Sequence, residues 1–190
     1  MEAFLISTGL VAFAEIGDKT QLLAFLLAAK FRKPLPIILG ILVATVINHG
    51  IAGALGAWIA SMVDQSTLRW ILGLTFIAMA VWVMIPDKLD ADAKPLRFGV
   101  FGTTLVAFFL AEIGDKTQIA TIALSAQYEA WLTVVIGTTL GMMVANVPAV
   151  LLGHRLADAM PVKLVHGIAA LIFLVLGVAT LMGAGSSLGF

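Results

Sequence analysis

The chain has 190 residues, 61% of them hydrophobic and only 12% charged, with 11 acidic and 11 basic side chains and a mean hydropathy of +1.09. Soluble domains carry about 25% charged residues, so this composition excludes one, and zero net charge offers nothing to nucleic acid. With no cysteine there is neither a disulfide framework nor a thiolate metal site.

A membrane-crossing helix needs about 20 mostly apolar residues. Six segments supply them, at roughly 3–29, 37–60, 68–85, 98–126, 131–156 and 164–185. The first starts behind Met1-Glu2-Ala3-Phe4, which lacks the basic region and cleavage site of a signal peptide, so a retained helix is expected. It carries the octapeptide Ala14-Glu15-Ile16-Gly17-Asp18-Lys19-Thr20-Gln21 and ends at the link Lys30-Phe31-Arg32-Lys33-Pro34. The second holds Asn48 and His49 and ends at Asp64-Gln65-Ser66-Thr67. The third runs to a polar link from Pro86 to Arg97. The fourth repeats the octapeptide letter for letter at Ala111–Gln118 and ends at Gln127-Tyr128-Glu129. The fifth holds Asn146 and Pro148, the latter placed to kink it, and the link Arg155 to Lys163 leads to the sixth. Continuous rather than alternating apolar runs favour helices over a barrel.

Links one, three and five hold Lys30, Arg32, Lys33, Lys88, Lys94, Arg97, Arg155 and Lys163, whereas links two and four have only Arg69 at an edge. Basic links stay inside. The odd links are therefore expected to be cytoplasmic and both termini extracytoplasmic, in a multi-pass protein of the plasma membrane (the inner membrane of a bacterium). Trp58, Trp70 and Trp131 fall near segment ends, where interfacial aromatics belong.

The two octapeptides are offset by 97 residues (112 − 15). The offset continues beyond them, pairing Leu27 with Leu124, Gly40 with Gly137, Ala52 with Ala149, Gly56 with Gly153 and Phe76 with Phe173. The expected organisation is a three-helix repeat over 1–90, a cytoplasmic linker over 91–97 and a second repeat over 98–190. Three is odd, so the second copy enters the membrane from the opposite face. The expected fold is thus an all-α membrane protein of six transmembrane helices in two inverted three-helix repeats, an arrangement that places a substrate site at the repeat interface.

A charged side chain at mid-membrane costs roughly 2.5–3.5 kcal/mol on insertion scales, and each octapeptide has three. On a regular helix Asp18 lies about 60° and Lys19 about 40° from Glu15 on opposite sides, Gln21 borders that face, and Thr20 points elsewhere. Gly17 and Gly114 provide either close helix approach or a local break that frees carbonyls. Together the two copies gather four carboxylates and two ammonium groups, a formal −4 + 2 = −2 that matches one divalent cation. The candidate metal residues are Glu15, Asp18, Gln21, Glu112, Asp115 and Gln118, with Lys19, Thr20, Lys116, Thr117, Asn48, His49 and Asn146 in support. Hard oxygen donors suit Mn²⁺, Ca²⁺ or Mg²⁺, and nitrogen from His49 would tilt the choice toward Mn²⁺.

Plainer readings compete. Glu15–Lys19 and Glu112–Lys116 are i,i+4 pairs that would neutralise themselves, though two copies in inverted halves argue against this. Gly-Asp-Lys-Thr lacks the glycine spacing of a phosphate loop. His49 also reads as a buried, hydrogen-bonded residue, His154 and His166 as interfacial groups, and the methionines as packing.

The doubled Glu-x-Gly-Asp-Lys-Thr resembles the signature Glu-x-Gly-Asp-(Lys/Arg)-(Thr/Ser) of a cation-transporter family that includes bacterial MneA-type manganese exporters and eukaryotic Golgi and chloroplast manganese/calcium transporters. The resemblance spans essentially the whole chain, and neither copy departs from it. It implies export of Mn²⁺, with Ca²⁺ as a related substrate, in exchange for protons. By motif position it makes Glu15, Asp18, Glu112 and Asp115 the cation-binding acids. The expectation is a secondary transporter with no cofactor, no enzymatic activity and no nucleic-acid partner, working in the lipid bilayer with protons as counter-ion. Clustered carboxylates disfavour one another's ionised form, bringing protonation within reach near neutral pH. A Ca²⁺/H⁺ antiporter, a passive cation channel and a proton-coupled exporter of an organic solute are the rivals.

Overall fold

The computed structural model describes residues 1–85, 98–128, 130–152 and 161–183. The third link with the 91–97 linker, Glu129, and most of the fifth link with His154 and Arg155 lie outside the described residues.

Among the described residues the regular structure is eight helices: α1 (Glu2–Glu15), α2 (Lys19–Phe31), α3 (Pro34–Met62), α4 (Gln65–Trp82), α5 (Gly99–Glu112), α6 (Lys116–Gln127), α7 (Trp131–Leu152) and α8 (Val162–Leu181). The boundaries have local causes. Arg32 turns left-handed (φ 52°) and returns its N–H to Ala28 O, closing α2. Pro34 then opens α3, at a position where a missing N–H costs nothing. Asp64 accepts from Thr67 N at 2.9 Å and caps α4.

The all-α expectation holds, but the first and fourth segments are not continuous helices. Each is two half-helices meeting at the octapeptide. Glu15 ends α1, Ile16 adopts φ −63°, ψ 118°, Gly17 has φ +85°, and Asp18 N–H donates to Glu15 O at 3.0 Å. Those are the dihedrals and hydrogen bond of a type II turn, whose third position requires a positive φ and therefore glycine. The second copy repeats it: Ile113 at −64°, 119°, Gly114 at +73°, Asp115 N–H to Glu112 O at 3.2 Å. Glu-x-Gly-Asp is a turn, and it re-phases everything after it. The angles expected from a regular helix across Glu15, Asp18 and Lys19 therefore do not apply.

By length and composition three helices, α3, α7 and α8, are long and apolar enough to cross a membrane, and α5 is a shorter apolar helix. Exposed Leu22, Leu26, Ile47, Leu74, Val81 and Leu171 give the outer surface a hydrocarbon character.

Packing follows the 97-residue offset. α1 lies on α7 as α5 lies on α3, and α4 packs with α8. A Cβ on Gly137 would meet Phe4 O at 2.8 Å and Ser7 Cβ at 3.1 Å, and one on Gly40 would meet Phe101 O at 3.0 Å and Thr104 Cβ at 2.8 Å. All three residues of each contact are offset partners, so one close glycine crossing is made twice. Two apolar clusters result. One joins α1, α4, α6 and α8 around Phe76 and Phe173, and the other joins α2, α3, α5 and α7 around Ile37, Ile41 and Phe108.

Candidate cation site

Each turn leaves polar groups that hydrocarbon cannot satisfy, and the remaining letters of the octapeptide satisfy most of them. Gly17 N–H donates to Gln21 Oε1 and Gly114 N–H to Gln118 Oε1, both at 2.8 Å. Asp18 and Asp115 sit at the N-caps of α2 and α6, where negative charge meets the positive end of a helix dipole, and Asp115 accepts from Lys116 N at 2.8 Å. The two glutamines, expected among the metal donors, thus have their carbonyl oxygens on the backbone of the turns. Their amides reach outward: Gln21 Nε2 donates to Ala145 O at 3.1 Å and Gln118 Nε2 to Asn48 Oδ1 at 3.4 Å. Ala145 is Asn48 plus 97, so both amides reach the same repeat position, one through its backbone carbonyl and the other through its side chain.

The lysines form ion pairs across the two motifs. Lys19 Nζ lies 3.3 Å from Asp115 Oδ1, and Lys116 Nζ lies 3.4 Å from Asp18 Oδ1. The two motifs are joined by reciprocal ion pairs, and the i,i+4 Glu–Lys alternative is displaced by them. The pairs are unequal: Lys116 is 1% exposed and Lys19 24%. Lys116 also donates to Ile85 O just beyond α4, at 2.9 Å.

With the lysines on the aspartates, the glutamates are held by neutral groups. Asn146 Nδ2 donates to Glu15 Oε1 at 3.2 Å, and Thr117 Oγ1 to Glu112 Oε2 at 2.9 Å. Thr20, expected off the shared face, is fully buried because the turn re-phases α2. Both glutamates are fully buried, and Glu15 Oε2 and Glu112 Oε1 have no hydrogen-bond partner. Glu15 lies within Coulombic range of Glu112, Asp18 and Asp115. Hard, buried, unpartnered oxygens are the donor type that Mn²⁺ and Ca²⁺ take. Among the described residues, however, no three acidic or histidine side chains converge closely enough to hold a metal ion in this arrangement.

Of the supporting residues, Asn48 Nδ2 donates to Phe109 O at 3.1 Å. His49 is buried with Nδ1 2.9 Å from Thr138 Oγ1, in line with its plainer reading. His166, expected at the interface, is instead buried in α8 with Nε2 2.7 Å from Ile16 O, on the first turn. Nothing in the sequence signals that contact, because the offset partner of His166 is Arg69, a residue of different chemistry.

The profile of the family described as "Divalent cation/proton antiporter GDT1" matches residues 3–91 and again 100–187. The chain belongs to the GDT1 family. Its two matches to the GDT1 profile begin 97 residues apart (100 − 3), and each contains one octapeptide. Among GDT1 relatives, the Vibrio cholerae serotype O1 protein named "Putative manganese exporter" is 50% identical over 181 residues, spanning 95% of this chain and 90% of that protein. GDT1-like protein 4 of Oryza sativa subsp. indica is 29% identical over 91% of this chain and 70% of its own length. GDT1-like protein sll0615 of Synechocystis is 28% identical over 91% and 93%. No solved structure matches the chain significantly.

Proposed function

We propose that this GDT1 protein is a secondary transporter that exports a divalent cation, foremost Mn²⁺, across the plasma membrane in exchange for H⁺. It works through six spans arranged as two inverted repeats, with 91–97 as the cytoplasmic linker and both termini outside. The observation that carries this is the pair of broken helices joined by reciprocal Asp–Lys contacts around two buried glutamates. Half-helix ends at mid-membrane are how inverted-repeat transporters present backbone and side-chain charge to an ion. The description of the matched family and the name of the 50% identical relative support the substrate and the counter-ion.

In this mechanism Glu15, Asp18, Glu112 and Asp115 supply the oxygens, and Asn146 and Thr117 orient the glutamates. Gln21 and Gln118 hold the turns and edge the site, with Thr20, Asn48 and His49 around it. Lys19 and Lys116 occupy the aspartates whenever the cation does not, so buried negative charge is never left uncompensated, a condition costing several kcal/mol per ion. The cation must displace both ammonium groups and any protons on the glutamates, which couples the two fluxes. A Ca²⁺/H⁺ antiporter of the same build uses the same oxygens.

The test is metal uptake into proteoliposomes under an imposed pH gradient. Mn²⁺ flux should be driven by the gradient and lost in Glu15→Gln and Glu112→Gln. Normal flux in either variant, or saturating flux with no proton counter-movement, would sink the proposal.

A further inference from the structure

Serine and threonine in membrane helices ordinarily return their hydroxyl to a carbonyl one turn back. Thr8, Thr75, Thr104 and Thr121 do so, at 2.7–2.9 Å. Ser7, Ser125 and Thr139 do not: their hydroxyls are buried without a partner, as is Nε2 of His49, and none of the four residues is more than 8% exposed.

These groups lie on one side of the layer formed by the two octapeptide turns. α6 leaves the second turn and reaches α7 within three residues, 128–130, so Ser125 near the end of α6 and Thr138 and Thr139 early in α7 share a side. A Cβ on Gly53, one helical turn past His49 on the same face of α3, would stand 3.3 Å from Ser125 Oγ. His49 touches Thr138 at 2.9 Å, and neighbouring Gly137 packs on Ser7. The opposite side of the layer is the cluster of Leu23, Ala24, Leu27, Ile41, Ala44 and Phe108, where Thr45 has an unpartnered buried hydroxyl, as does Thr20 of the first octapeptide at the start of α2.

At Ser125 and Thr139 the repeat shows that packing does not require this polarity, whereas Ser7 and His49 are matched by the polar Thr104 and Asn146. Under the 97-residue offset Ser125 is matched by Ala28, Thr138 by Ile41 and Thr139 by Leu42. These three α6 and α7 positions are filled by hydrocarbon in the other half. Buried polar groups in a membrane are expensive unless something polar meets them, and they mark ion pathways.

We propose that Ser7, His49, Ser125 and Thr139 line a hydrated route by which the cation passes between the motif layer and the membrane face where α6 and α7 join. Water and a partly hydrated divalent cation supply the missing partners. The route rests on the cation-transport reading, but its test does not depend on flux.

The chain has no cysteine, so single thiols report without background. Ser7→Cys and Ser125→Cys are near-isosteric; Ala24→Cys and Ala44→Cys in the apolar cluster are controls. In nanodiscs, where both faces are reachable, the two route thiols should react with the cationic reagent trimethylammonioethyl methanethiosulfonate at least an order of magnitude faster than the controls, read by mass spectrometry. In the unsubstituted protein His49 should be modified by diethyl pyrocarbonate. Route thiols no faster than controls, or an unreactive His49, would overturn the route. Reactive thiols in a protein that moves no Mn²⁺ would keep the route and remove the cation.

Discussion

Lys116 lies 3.4 Å from Asp18, which is 98 residues away in the chain, and both side chains are 1% exposed. The offset counterpart, Lys19 with Asp115 at 3.3 Å, leaves its lysine 24% exposed. Two copies of one octapeptide thus make the same bond in different surroundings, and the difference has measurable consequences.

Asp18→Asn strands a buried ammonium group, a loss of about 3 kcal/mol by analogy with broken buried pairs. Asp115→Asn strands a lysine that is 24% exposed and should cost about 1 kcal/mol or less. Thermal unfolding in detergent should rank Asp18→Asn well below Asp115→Asn. Adding Lys116→Met to Asp18→Asn should recover most of the loss, since an apolar side chain of similar length does not need the counter-charge. Equal melting of the two single variants would refute the inequality.

The two turn glycines separate backbone strain from packing. A side chain at φ +73° or +85° costs roughly 1–2 kcal/mol. Gly114 faces open space, so Gly114→Ala should cost about that and no more. At Gly17 the new Cβ would also clash with Val162 Cγ1 at the start of α8, so Gly17→Ala should be the more damaging. Val162→Ala should relieve the excess of Gly17→Ala and do nothing for Gly114→Ala. Denaturation of the four proteins and the two doubles reads this out.

Gln21 and Gln118 each hold a turn N–H that has no helical partner. Gln21→Ala leaves Gly17 N–H unsatisfied in a partly buried site, at a cost of about 1 kcal/mol. Hydrogen exchange around residues 17–22 should accelerate in Gln21→Ala, and around 114–119 in Gln118→Ala, each locally. A change confined to metal affinity, with exchange untouched, would make the glutamines ligands only.

If the ammonium groups balance the aspartates and two glutamate protons are exchanged for one divalent cation, each cycle moves no net charge (+2 against 2 × +1). Mn²⁺ flux in proteoliposomes should then follow the pH gradient and ignore a membrane potential set by potassium and valinomycin. Flux that scales with potential would rule out two-for-one exchange.

Outside the bilayer, the Thr67 backbone N–H on Asp64 holds its carboxyl below the usual aspartate range. A lowered folded-state pKa means the cap contributes above the unfolded value and loses its contribution as pH falls through the folded one. Asp64→Ala should therefore be destabilising at neutral pH and close to neutral in effect below the aspartate range, as thermal melts at the two pH values would report.

Composition, the two octapeptides and the 97-residue offset were enough to name an all-helical membrane protein with a doubled acidic motif, because hydrophobic run length and letter-for-letter repetition are properties of the chain itself. They also placed the family, since Glu15, Gly17, Asp18 and Lys19 recur intact as Glu112, Gly114, Asp115 and Lys116. What a helical wheel could not decide was the conformation at Gly17 and Gly114. A positive φ there converts one long helix into two and swings Asp18, Lys19 and Thr20 to new faces. Nor could it decide partners: Lys19 follows Asp18 directly and lies one helical turn from Glu15, yet its ion pair is with Asp115, 96 residues away. Ion-pair choice depends on which groups burial brings together and on what water is removed, and both are set by the packing of α1 on α7 and of α5 on α3. His166 on Ile16, and the unpartnered buried hydroxyls of Ser7, Ser125 and Thr139, belong to the same class. They arise where the two halves of the repeat stop being alike, which is information that only the folded chain contains.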